Sequence, residues 1–293
     1  MSCPGRLVPI DDTELWVVER GDPGAFPLLT IHGGPGLDHH GFADYLDPLT
    51  ERGVRLVLLD LRANGRSPAT PETTWTLERH AQDVVMLARA LRLGRYGVLG
   101  HSYGAFVALQ AAVDYPGMAA ATVVSGGIPS MRFLAAVRAN LAAFEPVELR
   151  ERVTRSWERE PTVRTAEDVA ELMAEQLPFH FADPLDPRIA EYDERTKDTV
   201  FAPDVLRKLS AEGYGGIEVE DRLGDVLGPV LVLTGRHDRT CAVEAAEAIA
   251  AGIGDARLEI LEASGHMTFV EEPERYLEVV AGFLDEVRGS AAA

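Results

Sequence analysis

Cysteine is nearly absent: 293 residues hold only Cys3 and Cys241. Two cysteines so far apart make neither a disulfide framework nor a cysteine-based zinc site. A reducing compartment is the simpler expectation. Long apolar runs are missing too. No stretch approaches the ~18 residues that a membrane span needs. The opening residues Met1–Ile10 hold no apolar core of the signal-peptide kind. The expectation is a cytoplasmic protein that does not enter membranes. Positive charge is scarce, with 28 Lys and Arg against 47 Asp and Glu, a net charge of −19. Nucleic-acid binding needs clustered Lys and Arg, so DNA and RNA are excluded as partners, and docking on anionic membranes is disfavoured. With 27 glycines and 18 prolines the chain is not of low complexity.

What is present suits a large core. Hydrophobic residues make up 46%, and a compact chain of this length buries roughly 75% of its unfolded surface without staples. Short β-rich runs alternate with helical ones. Strands are expected at Leu15–Glu19, Pro27–Ile31, Val54–Leu59, Tyr96–Leu99, Ala121–Ser125, Val230–Thr234 and Arg257–Leu261. Helical spacing marks Leu77–Leu93, Tyr103–Val113, Ala242–Ala251 and Glu274–Val287. Such alternation predicts an α/β fold with a mostly parallel central sheet flanked by helices. From about Pro129 to Glu220 no strand is evident. Met131–Phe144 and Val147–Glu158 read as helices, and Thr165-Ala-Glu-Asp168 is a capping-box start for another through Leu177. Pro178–Pro187 carries three prolines and reads as irregular. The expected organisation is a core from 1–128 and 221–293 with a helical cap at 129–220. The last residues, Gly289–Ala293, read as a frayed tail.

The sharpest chemical signal is Gly100-His101-Ser102-Tyr103-Gly104. A strand precedes it and a helix follows, the context of a strained elbow that exposes a serine hydroxyl. A serine nucleophile needs a base, and the base needs an orienting acid. Eight histidines compete for the first role. His266, just after the last expected strand, is the best placed. His80 falls in a helix of an outer layer and reads as bland. His101 adjoins the serine, but neighbours at an elbow point in different directions. His180 could at most line a pocket. Asp238, directly after Val230–Thr234, is the candidate acid, with a turn-forming aspartate as the alternative. His237 competes as base, but its adjacency to Asp238 makes a productive bond between them poor.

An oxyanion needs two backbone donors. One is expected from Tyr103, the residue after the serine. The other is expected from Gly34, in His32-Gly33-Gly34-Pro35-Gly36, which follows a buried strand. No Lys-Ser/Thr follows these glycines, so this is not a phosphate-binding P-loop. No metal or organic cofactor is called for.

His32–Gly36, Asp60-Leu-Arg-Ala-Asn-Gly-Arg-Ser67, the elbow, Asp238 and Ser264-Gly-His266 together resemble the α/β-hydrolase superfamily, whose triad runs in this order. The His-Gly-Gly-Pro-Gly loop particularly resembles the proline iminopeptidase family. That resemblance implies a cap-covered site that releases an N-terminal residue, often proline, from small peptides. It also implies acidic cap side chains that recognise the free amine. Trp157-Glu158 is similar to a pair in that family's cap, and Glu175 and Glu212 are further candidates. Phe179, Phe181 and Tyr214 are candidates for an apolar wall, with a place in the core as the alternative. The family usually has glycine and tryptophan where this elbow has His101 and Tyr103, and glycine where Ala63 stands. These departures bear on proline specificity rather than on hydrolysis. The alternative substrate is a small ester or lactone cut by the same triad. A receptor-like member of the fold without activity is the remaining reading.

Overall fold

Strands buried on both faces read as continuous apolar runs, because each successive side chain needs a dry partner on alternate sides. Val54–Leu59 shows the effect: Val57 and Leu59 enter one apolar cluster, Leu56 and Leu58 the other. The computed structural model describes residues 5–290, so Cys3 lies outside the described residues. Its strands are β1 (Arg6–Pro9), β2 (Glu14–Arg20), β3 (Phe26–Ile31), β4 (Val54–Leu59), β5 (Gly97–His101), β6 (Ala121–Ser125), β7 (Val230–Gly235) and β8 (Ala256–Leu261). They form one sheet in the order β1-β2-β4-β3-β5-β6-β7-β8. From β4 to β8 every pairing is parallel. β1 and β2 add an antiparallel edge. β1 was not expected from the sequence; it is four residues long and buries only Val8, too little for a period-two signal.

Helices cover both faces. On one lie α1 (Leu77–Ala90), α2 (Tyr103–Asp114) and α8 (Val243–Gly252), which follows β7. Between β6 and β7 come α3 (Ala135–Ala142), α4 (Val147–Arg159), α5 (Ala166–His180), α6 (Arg188–Arg195) and α7 (Pro203–Ala211). After β8 follow the short α9 (Thr268–Glu271) and α10 (Pro273–Gly289), which packs on the opposite face. No helix among the described residues is long and apolar enough to cross a membrane.

The expected capping box is present: the Thr165 hydroxyl accepts from the Asp168 N–H, and Asp168 accepts from the Thr165 N–H. Thr165→Ala should therefore cost about 1 kcal/mol, read as a lower urea midpoint with an unchanged slope. The irregular stretch begins later than expected. α5 runs through Pro178 to His180. Proline's φ fits a helix and forfeits one backbone bond, and the buried Phe179 ring packs edge-on against Phe144 and Trp157.

Candidate active site

Parallel strands end together, so the loops at their C-terminal edge meet. Ile31 lies opposite Gly100, His101 opposite Ser125, and Gly235 opposite Leu261. The loops carrying Gly34, Ser102, Asp238 and His266 therefore converge over one edge. Ser102 joins β5 to α2 with φ 56° and ψ −122°, a conformation that costs of order 1–3 kcal/mol for a residue with a side chain. Its flanking glycines are required by contact: a Cβ on Gly100 would overlap the Gly104 carbonyl, and one on Gly104 the carbonyls of Ile31 and His32. The turn is held by the Ser102 N–H, which donates to the Ser125 carbonyl at 2.9 Å. Ser102 sits at the N-terminus of α2, where the helix dipole favours developing negative charge.

His266 and Asp238 meet through a 2.7 Å bond between Nδ1 and Oδ2, both side chains buried. The other oxygen of Asp238 accepts from the N–H groups of Thr240 and Cys241 and from the Thr240 hydroxyl, each at 2.8 Å. Burial pushes the Asp238 carboxyl up, but His266 and these donors outweigh it, and the group lies below the ordinary aspartate range. His237 is exposed and its N–H is tied to the Ser264 carbonyl, away from the site. Ser102 and His266 line one cavity of about 300 Å³. Among the described residues the Ser102 hydroxyl makes no hydrogen bond, so the structure supplies the His–Asp link and a shared wall for the serine. Unliganded sites often close that last contact only with substrate.

The glycine loop is braced from beneath. His32 accepts the Leu61 N–H at Nε2 (3.1 Å) and donates from Nδ1 to the Gly33 carbonyl (2.7 Å). Asn64 accepts the Gly36 N–H at 2.8 Å. Ala63, where the resembled family has glycine, has φ 60°, which explains that glycine: the turn is left-handed. Among the described residues the Gly34 N–H finds no acceptor, and it shares the cavity wall with Tyr103, whose N–H opens α2.

Other expectations are sharpened or corrected. His80 lies, as expected, in a helix of an outer layer, but its side chain is fully buried, with Nδ1 2.9 Å from the Tyr103 hydroxyl. Burial, then the nearby His32, lowers its pKa to about 3, so it is neutral. Its position three after Leu77 and four before Val84 places it on the apolar stripe of α1, a signal the sequence does carry. His101 does reach the cavity: its ring centroid is 4.9 Å from that of His266. His180 packs at 5.3 Å and its carbonyl accepts the His266 N–H at 2.6 Å. Burial and the neighbouring His266 depress both histidines, His180 to about 3.

None of the three candidate amine-binding carboxylates lines the cavity. Glu158 is exposed; Glu212 is exposed and paired with Lys208; Glu175 lies 3.3 Å from Arg159. One residue along a helix turns the side chain by about 100°, so Trp157 faces the cavity and Glu158 does not. Glu160, Asp193 and Glu194 do; Asp193 and Glu194 are exposed, and Glu160 is the buried one, hydrogen-bonded by the Tyr214 hydroxyl and by Gln176 at 2.8 Å. No cation pairs with it among the described residues. Burial raises its pKa to about 7 against the pull of those two donors. Tyr214 lines the cavity, whereas Phe179 and Phe181 belong to the core.

Two clusters have metal-ligand spacing: Asp38, His39 and His40, and Asp238, Cys241 and His266. In the first, the Arg66 guanidinium already occupies Asp38 at 2.9 Å, a cation where a metal would need vacancy. In the second, a metal would have to displace the 2.7 Å His266–Asp238 bond.

Residues 27–273 match the alpha/beta hydrolase fold family, and the chain belongs to it. It is a hydrolase. A proline iminopeptidase of Clostridium botulinum is 26% identical over 268 residues, 89% of this chain and 90% of its own. A solved proline iminopeptidase of Mycobacterium smegmatis shares the fold with a TM-score of 0.77 at 27% identity, over 98% of this chain and 100% of that one. A 2-hydroxy-6-oxononadienedioate/2-hydroxy-6-oxononatrienedioate hydrolase of Klebsiella pneumoniae is 25% identical over 296 residues, 97% of this chain and 96% of its own.

Proposed function

We propose that this chain is a serine hydrolase of proline iminopeptidase type, releasing an N-terminal residue from short peptides or small amides. The observation that carries the substrate choice is Glu160. A buried carboxylate on a cavity wall without a cation is costly unless a ligand supplies one, and a substrate's terminal ammonium does. In this reading Ser102 Oγ attacks the scissile carbonyl and His266 Nε2 takes its proton. The Nδ1–H of His266 stays on Asp238, which steadies the imidazolium. The N–H groups of Gly34 and Tyr103 receive the oxyanion. His266 returns the proton to the leaving amine, and water repeats the sequence on the acyl-enzyme. These steps need no cofactor. Residues 129–220 act as the cap over a core of 1–128 and 221–293.

A second reading, a small acyl ester or lactone, is favoured by the rest of the wall, which includes Leu134, Met173, Leu177, Phe201 and Leu206. Parallel assays separate the two. A prolyl anilide with a free amine should exceed its N-acetyl form by about 100-fold in kcat/KM, the value of one desolvated charge pair. Equal rates, with faster turnover of a short acyl ester, would establish the second reading.

A further inference from the structure

The segment joining α5 to α6 lies directly on the loops that carry Asp238 and His266. A Cβ on Gly265 would meet the His180 carbonyl oxygen and the Ala182 nitrogen at 2.6 and 2.7 Å. Five backbone groups of 179–182 are taken by residues of those loops or of α9 just beyond. Arg239, next to Asp238, donates to the carbonyls of Phe179 (3.3 Å), Phe181 and Ala182 (3.0 Å). The His180 carbonyl accepts from the His266 N–H. Glu271, in α9, spans the junction: one oxygen accepts from the Ala182 N–H at 2.7 Å, the other from the Gly265 N–H at 2.8 Å. A single carboxylate thus ties the helical insertion to the residue before His266.

Charge and burial make this more than a surface tie. Both Glu271 oxygens serve neutral backbone donors, and the side chain is buried. Burial raises the Glu271 pKa to about 7 against the pull of these two backbone donors, and in the ionised form its charge-assisted bonds are roughly twice as strong as neutral ones. Arg239 is held from its other side by the Phe144 ring, 5.3 Å away, on the insertion. The His266 ring is bounded by Asp238 at Nδ1 and by the His101 and His180 rings. His180 is itself part of the tied segment, so the seat of the insertion sets one wall of the base.

We propose that Glu271 and Arg239 are positioning residues that clamp the 179–182 segment onto the Asp238 and His266 loops and so fix the aim of the His266 ring. The proposal rests on the Ser102–His266–Asp238 reading. Glu271→Gln turns one acceptor into an NH₂ donor facing a backbone N–H. Arg239→Met removes all three donated bonds and keeps the apolar stem.

The test reads alignment rather than stability. Each variant is compared with wild type for kcat, KM, labelling rate by a fluorophosphonate probe, and the downfield NMR signal of the His266 Nδ1 proton. The expected result is a loss of about 10- to 100-fold in kcat and labelling rate, the scale of a misplaced catalytic group. KM should stay within about threefold, and the proton signal should shift or broaden. Either variant decides for its own residue should the other fail to fold. Folded variants that label at the wild-type rate with an unmoved signal overturn the proposal, whatever their Tm. Ser102→Ala is the control: if it still turns over substrate, the triad reading has failed, not the clamp alone.

Discussion

Ser102→Ala is expected to lower kcat by about 10⁴- to 10⁶-fold, with KM nearly unchanged and no labelling by a fluorophosphonate. In the proposed mechanism the Ser102 hydroxyl oxygen forms the acyl bond, and the Cys241 thiol on the cavity wall is no substitute: it is buried, and burial, then the Asp238 charge, holds it well above the ordinary range and so protonated. Stability offers a second readout. The φ of 56° at Ser102 persists in an alanine variant, because alanine carries the same Cβ. Ser102→Gly relieves that conformation. The gain of order 1–3 kcal/mol is offset by roughly 0.5–1 kcal/mol of extra backbone entropy. The glycine variant should therefore be inactive and about 1 kcal/mol more stable than the alanine variant in urea unfolding. Turnover of Ser102→Ala near the wild-type rate would sink the mechanism. Equal stability of the two variants would cap the strain at the roughly 0.5–1 kcal/mol that glycine loses in backbone entropy.

The parts of this site that the sequence displays are those built from local rules. An elbow needs glycine on both sides of the serine, so Gly100 and Gly104 announce it. β7 is an apolar run and β8 alternates apolar with charged residues, so the ends of both can be counted and Asp238 and His266 follow from position. The family order then adds weight that spacing alone lacks. What was not legible depends on how the insertion packs. Glu158 and Glu160 differ by two residues, and only the end of α4 and the following turn decide which faces inward. His180 lines the cavity, as the sequence allowed, but its place beside His266 was not legible in a stretch that reads as irregular. The chain instead stays helical and delivers His180 to the base. His80 was rightly placed in a helix of an outer layer, but its partner was not legible. The hydroxyl it pairs with, on Tyr103, is 23 residues away.

Glu160→Gln should reduce kcat/KM for free-amine substrates by about 100-fold while leaving N-acylated amides and esters unchanged or faster. The glutamine keeps the shape and accepts one of the two hydrogen bonds from Tyr214 and Gln176, so the loss isolates charge. The pH dependence sharpens the test. In the free enzyme Glu160 is half ionised near pH 7, and only the carboxylate attracts an ammonium. Any effect of pH on the shared proposed triad acts on both substrate classes alike and cancels in their ratio. The ratio of amine to ester kcat/KM should therefore rise as pH passes through about 7 in wild type. It should fall again as the substrate's own α-amino group deprotonates near 7.7–8.0. In Glu160→Gln the rise should vanish and the fall remain weak. Stability follows the same linkage with a definite sign. Folding raises the Glu160 pKa from 4.5 to about 7, so the folded state holds the proton more tightly and loses stability as pH climbs through that window. Glu160→Gln removes the titrating group. The variant should match wild type in urea stability near pH 4.5 and exceed it by a margin that grows up to about pH 7. A constant margin would mean that the carboxylate is already compensated, and a pH-independent amine-to-ester ratio in wild type would take the amine-binding role away from Glu160.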